Sequence, residues 1–197
     1  MDVAAQRSFP QSLTGPRITL VAVAPEHSPR LWQIRAEPEV HRWWGEIDPA
    51  FPFDEDDDTP GFAVLLRDRE AGPASGPPSS DQIVGFVQFS EENEPMYRHA
   101  GIDLFLSTAV HGRGLGRETV GVVAQHLVDV RGHHRLVIDP CALNERAIAC
   151  YSAVGFRPVG RMRQYERSPE GVWRDGLLMD LLAPDLVRPA PPLPQRP

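Results

Sequence analysis

The run His111-Gly112-Arg113-Gly114-Leu115-Gly116-Arg117 has the residue types to bind an anion. Its three glycines alternate with larger residues, after an apolar stretch from Ile102 to Leu106 and before a stretch with helical spacing. Glycine reaches backbone dihedrals closed to other residues and lets a ligand come close to the main chain. The free N–H groups of a helix start point outward and favour negative charge. Strand, glycine turn and helix start together form a cradle for a phosphate or pyrophosphate. No Gly-Lys-Ser/Thr closes the run, which sets it apart from the phosphate loop of nucleoside triphosphatases. Glycines at 112, 114 and 116 also miss the Gly-x-Gly-x-x-Gly dinucleotide spacing. Taken alone, the pattern fits an ordinary turn as well.

Two further side chains carry proton chemistry. Asp103 interrupts an apolar strand pattern: Ile102, Leu104 and Leu106 share one face, and Asp103 shares the other with Phe105. A carboxylate inside a strand is disfavoured and needs a reason. Tyr151 has a phenol whose reference pKa near 10 keeps it protonated at neutral pH. It follows Asn144 by about two helical turns, so both face one way. On spacing alone, Tyr151 reads first as a core tyrosine of an amphipathic helix.

His111-x-x-Gly114-x-Gly116 resembles the acyl-coenzyme A loop of the GNAT N-acetyltransferase superfamily, with His111 where Gln or Arg is usual. Asn144 to Phe156 resembles that superfamily's Asn-x-x-Ala-x-x-x-Tyr-x-x-x-Gly-Phe block. The resemblance runs from about Arg17 to Leu182 and implies an α/β (α+β) fold. Its mixed central sheet would have about seven strands, flanking helices and a splayed pair formed by the fourth and fifth. It implies acetyl-CoA held by His111, Gly112, Arg113, Gly114, Leu115, Gly116 and Arg117. Asn144, Ala147, Tyr151 and the backbone near Phe105 would complete the cofactor side. Tyr151 would be the general acid and Asp103 the base.

Trp43-Trp44-Gly45, Gly101-Ile102-Asp103 and Asp139-Pro140 resemble segments of aminoglycoside 6'-N-acetyltransferases. Trp44, Asp103 and Asp139 are then substrate-binding. Adjacent helical residues point about 100° apart, so one of the two tryptophans is expected to face a cleft. The function implied is acetyl transfer to a primary amine, the 6'-amine of an aminoglycoside. The rivals are a protein N-terminus, a polyamine, a siderophore precursor, or a non-catalytic acyl-CoA-binding module.

A net charge of −7 argues against nucleic acid as the main partner and permits a cationic one. No apolar run reaches membrane-spanning length and no secretory signal is visible, so a cytoplasmic protein is expected, as monomer or homodimer. Cys141 and Cys150 form neither a disulfide framework nor a metal site. Cys150 reads as a small core residue, and His99, His133 and His134 as surface residues.

Positioning falls to elements on either side of the loop. Residues 1–16 are expected to be a flexible arm, 17–183 the acetyltransferase domain, and 184–197 a proline-rich extended tail. Strands are expected over 17–23, 61–67, 82–90, 100–107, 136–138, 157–165 and 172–182. A helix starts at a Ser28 cap followed by Pro29, a second at Pro38 ending in Gly45, a long one spans 117–131, and a last one follows the Asn144 cap. The acidic block Asp54 to Asp58 reads as a solvated loop or a rim for a polycation, 68–81 as a long hairpin loop, and Glu91 to Arg98 as a substrate-side loop.

Overall fold

The computed structural model describes residues 9–53, 59–67 and 83–189. The acidic block 54–58, the loop expected over 68–81 and the tail beyond 189 lie outside the described residues.

Eight strands form one sheet: β1 (Ser12–Thr14), β2 (Ile18–Ala22), β3 (Gly61–Leu66), β4 (Ile83–Glu92), β5 (His99–Leu106), β6 (Arg135–Ile138), β7 (Arg157–Arg167) and β8 (Trp173–Leu182). Their order is β1-β2-β3-β4-β5-β6-β8-β7. Only β5 and β6 run parallel; the other neighbours are antiparallel. The extra strand is β1, inside the segment expected to be a loose arm. Three residues are too few to read as a strand alone, but Ser12, Leu13 and Thr14 pair with Val21, Leu20 and Thr19.

Helices cover both faces. On one lie α1 (Ser28–Arg35) and α2 (Pro38–Trp44), whose Leu31, Ile34 and Val40 bury against Ala63, Leu65, Phe86 and Phe105. On the other lie α3 (Leu115–Asp129) and α4 (Glu145–Ser152). The helical stripe Val120, Val123, Ala124 and Leu127 is fully buried there, each large side chain contributing roughly 2 kcal/mol. Ser28 is the first residue of α1 rather than its cap. The turn Pro25–His27 precedes it, and His27 Nδ1 accepts the Ala24 N–H at 3.1 Å. No described helix is long and apolar enough to cross a membrane.

Two sequence readings are corrected by an ion cluster at the far end of α3. Glu91 belongs to β4 and faces inward, not toward a substrate. Its carboxylate takes Arg131 Nη2 and His133 Nε2, each at 2.6 Å. Burial pushes this carboxyl up, but the bonds from His133 and Arg131 outweigh it and hold it at about 2. His133 is therefore a buried structural residue, 1% exposed, and not a surface one.

A second buried carboxylate ties the sheet to the glycine loop. Glu118 of α3 accepts the Arg17 N–H at 2.6 Å, the Ile18 N–H at 3.2 Å and Arg17 Nε at 2.8 Å. Arg17 Nη1 in turn donates to the Arg113 carbonyl at 2.9 Å. Glu118→Ala would strand two N–H groups at the start of β2, and is expected to cost about 3 kcal/mol in urea unfolding. Stability unchanged within 0.5 kcal/mol, the ordinary surface range, would contradict that role.

Candidate active site

β6 pairs with β5 at only two positions, Ala100 with Leu136 and Gly101 with Val137. Beyond Gly101, β5 keeps β4 to Leu106 but has no partner on its β6 side, and the sheet opens there. A cavity of about 400 Å³ fills the opening, walled by α2, the end of β5, the loop after it, the start of α3, and α4. Trp44, Phe105, His111, Gly112, Gly114, Leu115, Gly116, Arg117, Asn144, Ala147 and Tyr151 all line it.

The loop has the conformation its glycines suggest. Gly112 and Gly114 take φ of +72° and +74°, which a side chain would strain. Gly114 caps α3, so the first N–H groups of α3 face the cavity. The Arg113 and Arg117 side chains are exposed and have no hydrogen bond or ion pair among the described residues. A second hollow of about 320 Å³ shares Gly114 and Arg117 with the first, and adds Arg17 and Arg188. Helix start, bare backbone and free guanidiniums fit a pyrophosphate-bearing ligand.

Leu104 and Leu106 present the open edge of β5. The Leu104 carbonyl accepts Trp44 Nε1 at 3.1 Å, and the Leu106 carbonyl bonds His111 Nε2 at 3.0 Å. Both carbonyls thus point away from β4. In an antiparallel strand the N–H and C=O of one residue point the same way, so their N–H groups face the opening too. The Phe105 N–H points toward β4 instead. Phe105 contributes its ring to the cavity wall, and its two neighbours contribute the donors.

Residues 17–157 match the family model described as acetyltransferase (GNAT) domain. The chain belongs to this acetyltransferase family.

An uncharacterised Mycobacterium leprae protein is 30% identical over 122 residues, 59% of this chain; the match spans 32% of that protein's length. Among solved structures, the fold is similar to ribosomal-protein-S5-alanine acetyltransferase from Vibrio fischeri, with TM-score 0.69, 16% identity, and 89% and 98% of the two chains covered. Spermidine N-acetyltransferase from Vibrio cholerae in complex with CoA and spermine gives TM-score 0.67 at 16% identity, over 86% and 97%. Mycobacterium smegmatis RimJ in complex with CoA-disulfide gives 0.68 at 19%, over 90% and 88%.

Within this GNAT domain, the two carboxylates lie beside the cavity rather than in its lining. Asp103 sits opposite Gln88 on β4 with an exposed edge, while neighbouring protein crowds its carboxyl. The protein around it, then the nearby Asp139 charge, push its carboxyl up to about 6, against a bond from Gln88. Tyr151 joins the two regions. It lines the cavity and feels the charges of Asp103 and Asp139; burial above all raises its pKa well beyond the ordinary phenol value. No described residue hydrogen-bonds its hydroxyl.

The remaining candidates divide. Asn144 uses its side chain to cap α4, accepting the Ala147 N–H at 3.2 Å. Arg113 lies outside the cavity lining, its carbonyl held by Arg17. Trp44 packs edge-on against Phe105 at 5.1 Å, while Trp43 lies under Arg42 and Arg174. Both tryptophans reach the cavity, so the expectation that one alone faces the opening is not met. Cys150 is half-buried and packs against the core, as its helical pattern suggests, and it also lines the cavity. Among the described residues no cluster suited to a metal ion is found.

Two supporting residues had no signal in the sequence. Glu37 accepts the Thr108 N–H, the Thr108 hydroxyl and the Ser107 hydroxyl, each at 2.7 Å, fixing the entry to the glycine loop. Burial raises its pKa, but these bonds outweigh it and keep the carboxyl below its usual range. Buried Arg35 donates from Nη2 to the carbonyls of Trp44 and Glu46 and lies 5.4 Å from the Trp44 ring. A hydrophilic residue on a short helix gives no hint of such partners.

The electrostatics can be read directly. Carbon-detected NMR titration of Asp103 is expected to give a midpoint near 6. Asp139→Asn removes the like charge and is expected to lower that midpoint. A midpoint near the reference 3.9 in the wild type would remove the coupling.

Proposed function

We propose that this protein transfers an acetyl group from acetyl-CoA to a primary amine of a small polycationic acceptor. The observation that carries the proposal is the paired carboxylates, Asp103 and Asp139, beside an anion-cradling cavity that shares Tyr151 with them. Acetyl-CoA supplies the acetyl thioester. The start of α3, with Gly112, Gly114 and Arg117, holds the pyrophosphate end, and Asn144, Ala147 and Tyr151 flank the arm.

The N–H groups of Leu104 and Leu106 polarise the acyl carbonyl. An alkylammonium cannot attack until it loses a proton. Asp103 is too weak a base to take it outright, so it orients the amine and passes the proton through water. The new C–N bond forms as the C–S bond breaks. Tyr151 gives its proton to the departing sulfur, which its protonated resting state allows. Asp139 holds the ammonium by a charge-assisted bond.

The 6'-amine of an aminoglycoside is the acceptor favoured by Trp44, Asp103 and Asp139 together. A polyamine or a protein N-terminus is the competing reading, supported by folds shared with a spermidine and a ribosomal-protein acetyltransferase. Thiol release measured with kanamycin, spermidine and N-terminal peptides discriminates them. Turnover with kanamycin supports the aminoglycoside; turnover with peptide alone refutes it. Tyr151→Phe is expected to lower kcat by about 100-fold, with acetyl-CoA affinity unchanged. Asp103→Asn is expected to abolish the acid limb near pH 6, because activity in the wild type falls as Asp103 takes up a proton.

A further inference from the structure

Arg174 has no role in the scheme above, yet it joins the two halves of the parted sheet. Each half carries one of the paired carboxylates. Asp103 belongs to β5, and α2 is tied to the same strand by the bond from Trp44 to the Leu104 carbonyl. Asp139 follows the end of β6, and the chain beyond it is bonded to β8. There the Leu177 N–H donates to the Pro140 carbonyl and the Ala142 N–H to the Asp175 carbonyl, both at 2.8 Å. Arg174 precedes Asp175 on that strand.

From β8 the Arg174 side chain crosses to α2. Its Nη1 donates to the Arg42 carbonyl at 3.1 Å. That carbonyl lies in the last turn of α2, where the helix supplies no N–H to satisfy it. The guanidinium carbon also lies 5.5 Å from the centre of the Trp43 ring, which the Arg42 guanidinium approaches to 4.7 Å. On its own side of the gap, Arg174 Nη2 pairs with Glu166 Oε1 at 2.8 Å, its opposite number on β7. The Arg174 side chain is 13% exposed, so solvent screens these contacts little. A second tie from α2, Glu39 to Arg146 of α4 at 3.6 Å, is much more exposed and correspondingly weaker.

We propose that Arg174 is a positioning residue for the acceptor amine: it spans the parted sheet and fixes the spacing between the strands that carry Asp103 and Asp139. Direct pairing of β5 with β6 covers two residues of each strand and stops at Gly101, before the opening begins. The route from β8 through Arg174 to the Arg42 carbonyl, along α2 and through Trp44 to Leu104 closes the same gap from above. An acceptor held by two carboxylates needs both at one distance, and a small misplacement of either weakens its hold. The inference rests on the cleft being the amine's entry, as proposed above.

Steady-state kinetics with the amine the wild type uses best provide the test. Arg174→Ala cuts the span, and the amine KM is expected to rise about 10-fold, the scale of one lost charged hydrogen bond. The acetyl-CoA KM should stay within about 2-fold, a split that a general loosening of the fold would not give. Arg174→Lys keeps a charged donor at this position and should bring the amine KM back to within about 3-fold of wild type. An amine KM unaltered in Arg174→Ala, an acetyl-CoA KM that rises with it, or no recovery in Arg174→Lys overturns the role of Arg174 and leaves the acetyltransferase reading standing. If the wild type acetylates no amine, that reading fails instead, and amide hydrogen exchange decides the span. Exchange of the α2 amides about 5-fold faster in Arg174→Ala, with α3 unchanged, upholds it; equal rates in α2 overturn it.

Discussion

The parting of β5 from β6 is the constraint on which the rest of the structure depends. Two residue pairs hold the strands together, and then β6 ends at Ile138. Pro140 has no N–H to continue a ladder. The chain from 140 to 142 bonds to β8 instead, through Leu177 and Asp175. The polar edge of β5 past Gly101 is left without a strand partner. Backbone groups in such a place must find other partners or face a ligand or water. The Leu104 and Leu106 carbonyls find Trp44 and His111, and their N–H groups face the opening. The cavity, its donors and its walls thus follow from one early strand ending.

The opening is also polarised. At one end lie the start of α3 and the side chains of Arg17, Arg117 and Arg188. At the other lie Asp103 and Asp139. Phe105, Trp44 and Tyr151 line the cavity, and apolar walls of this kind lower the local dielectric and strengthen electrostatic interactions. The net charge of −7 conceals this separation, because it sums two opposed fields.

What the sequence revealed was local chemistry. The glycine loop, the Asn144 cap and the stripe on α3 each depend on residues within a turn or two, and each sits where spacing placed it. The strands were legible from alternation to within a few residues, β1 excepted. Its three residues become a strand only by pairing with β2. Glu37, Arg35, Glu118 and His133 were opaque for one reason: each finds a partner through folding that its own neighbours do not announce. His133 looks like any polar residue after a helix until Glu91 on β4 lies against it.

Helix α2 shows how such long-range partners make a site cohere. It has 7 residues, too short to persist alone in water. Its order comes from its ties. Glu37, at its start, spends its carboxylate on Ser107 and Thr108 rather than on its own helix. Glu39, two residues on, meets Arg146 of α4 at 3.6 Å across the cavity. Trp44, at its end, closes on Leu104 and is held from behind by Arg35. One short helix therefore touches the glycine loop, the open edge of β5 and the opposite wall. Those ties differ in strength: the Glu37 bonds are short and charge-assisted, whereas the Glu39–Arg146 pair is exposed and worth less. The side of α2 toward α4 is consequently tied more loosely than the sides toward the glycine loop and β5.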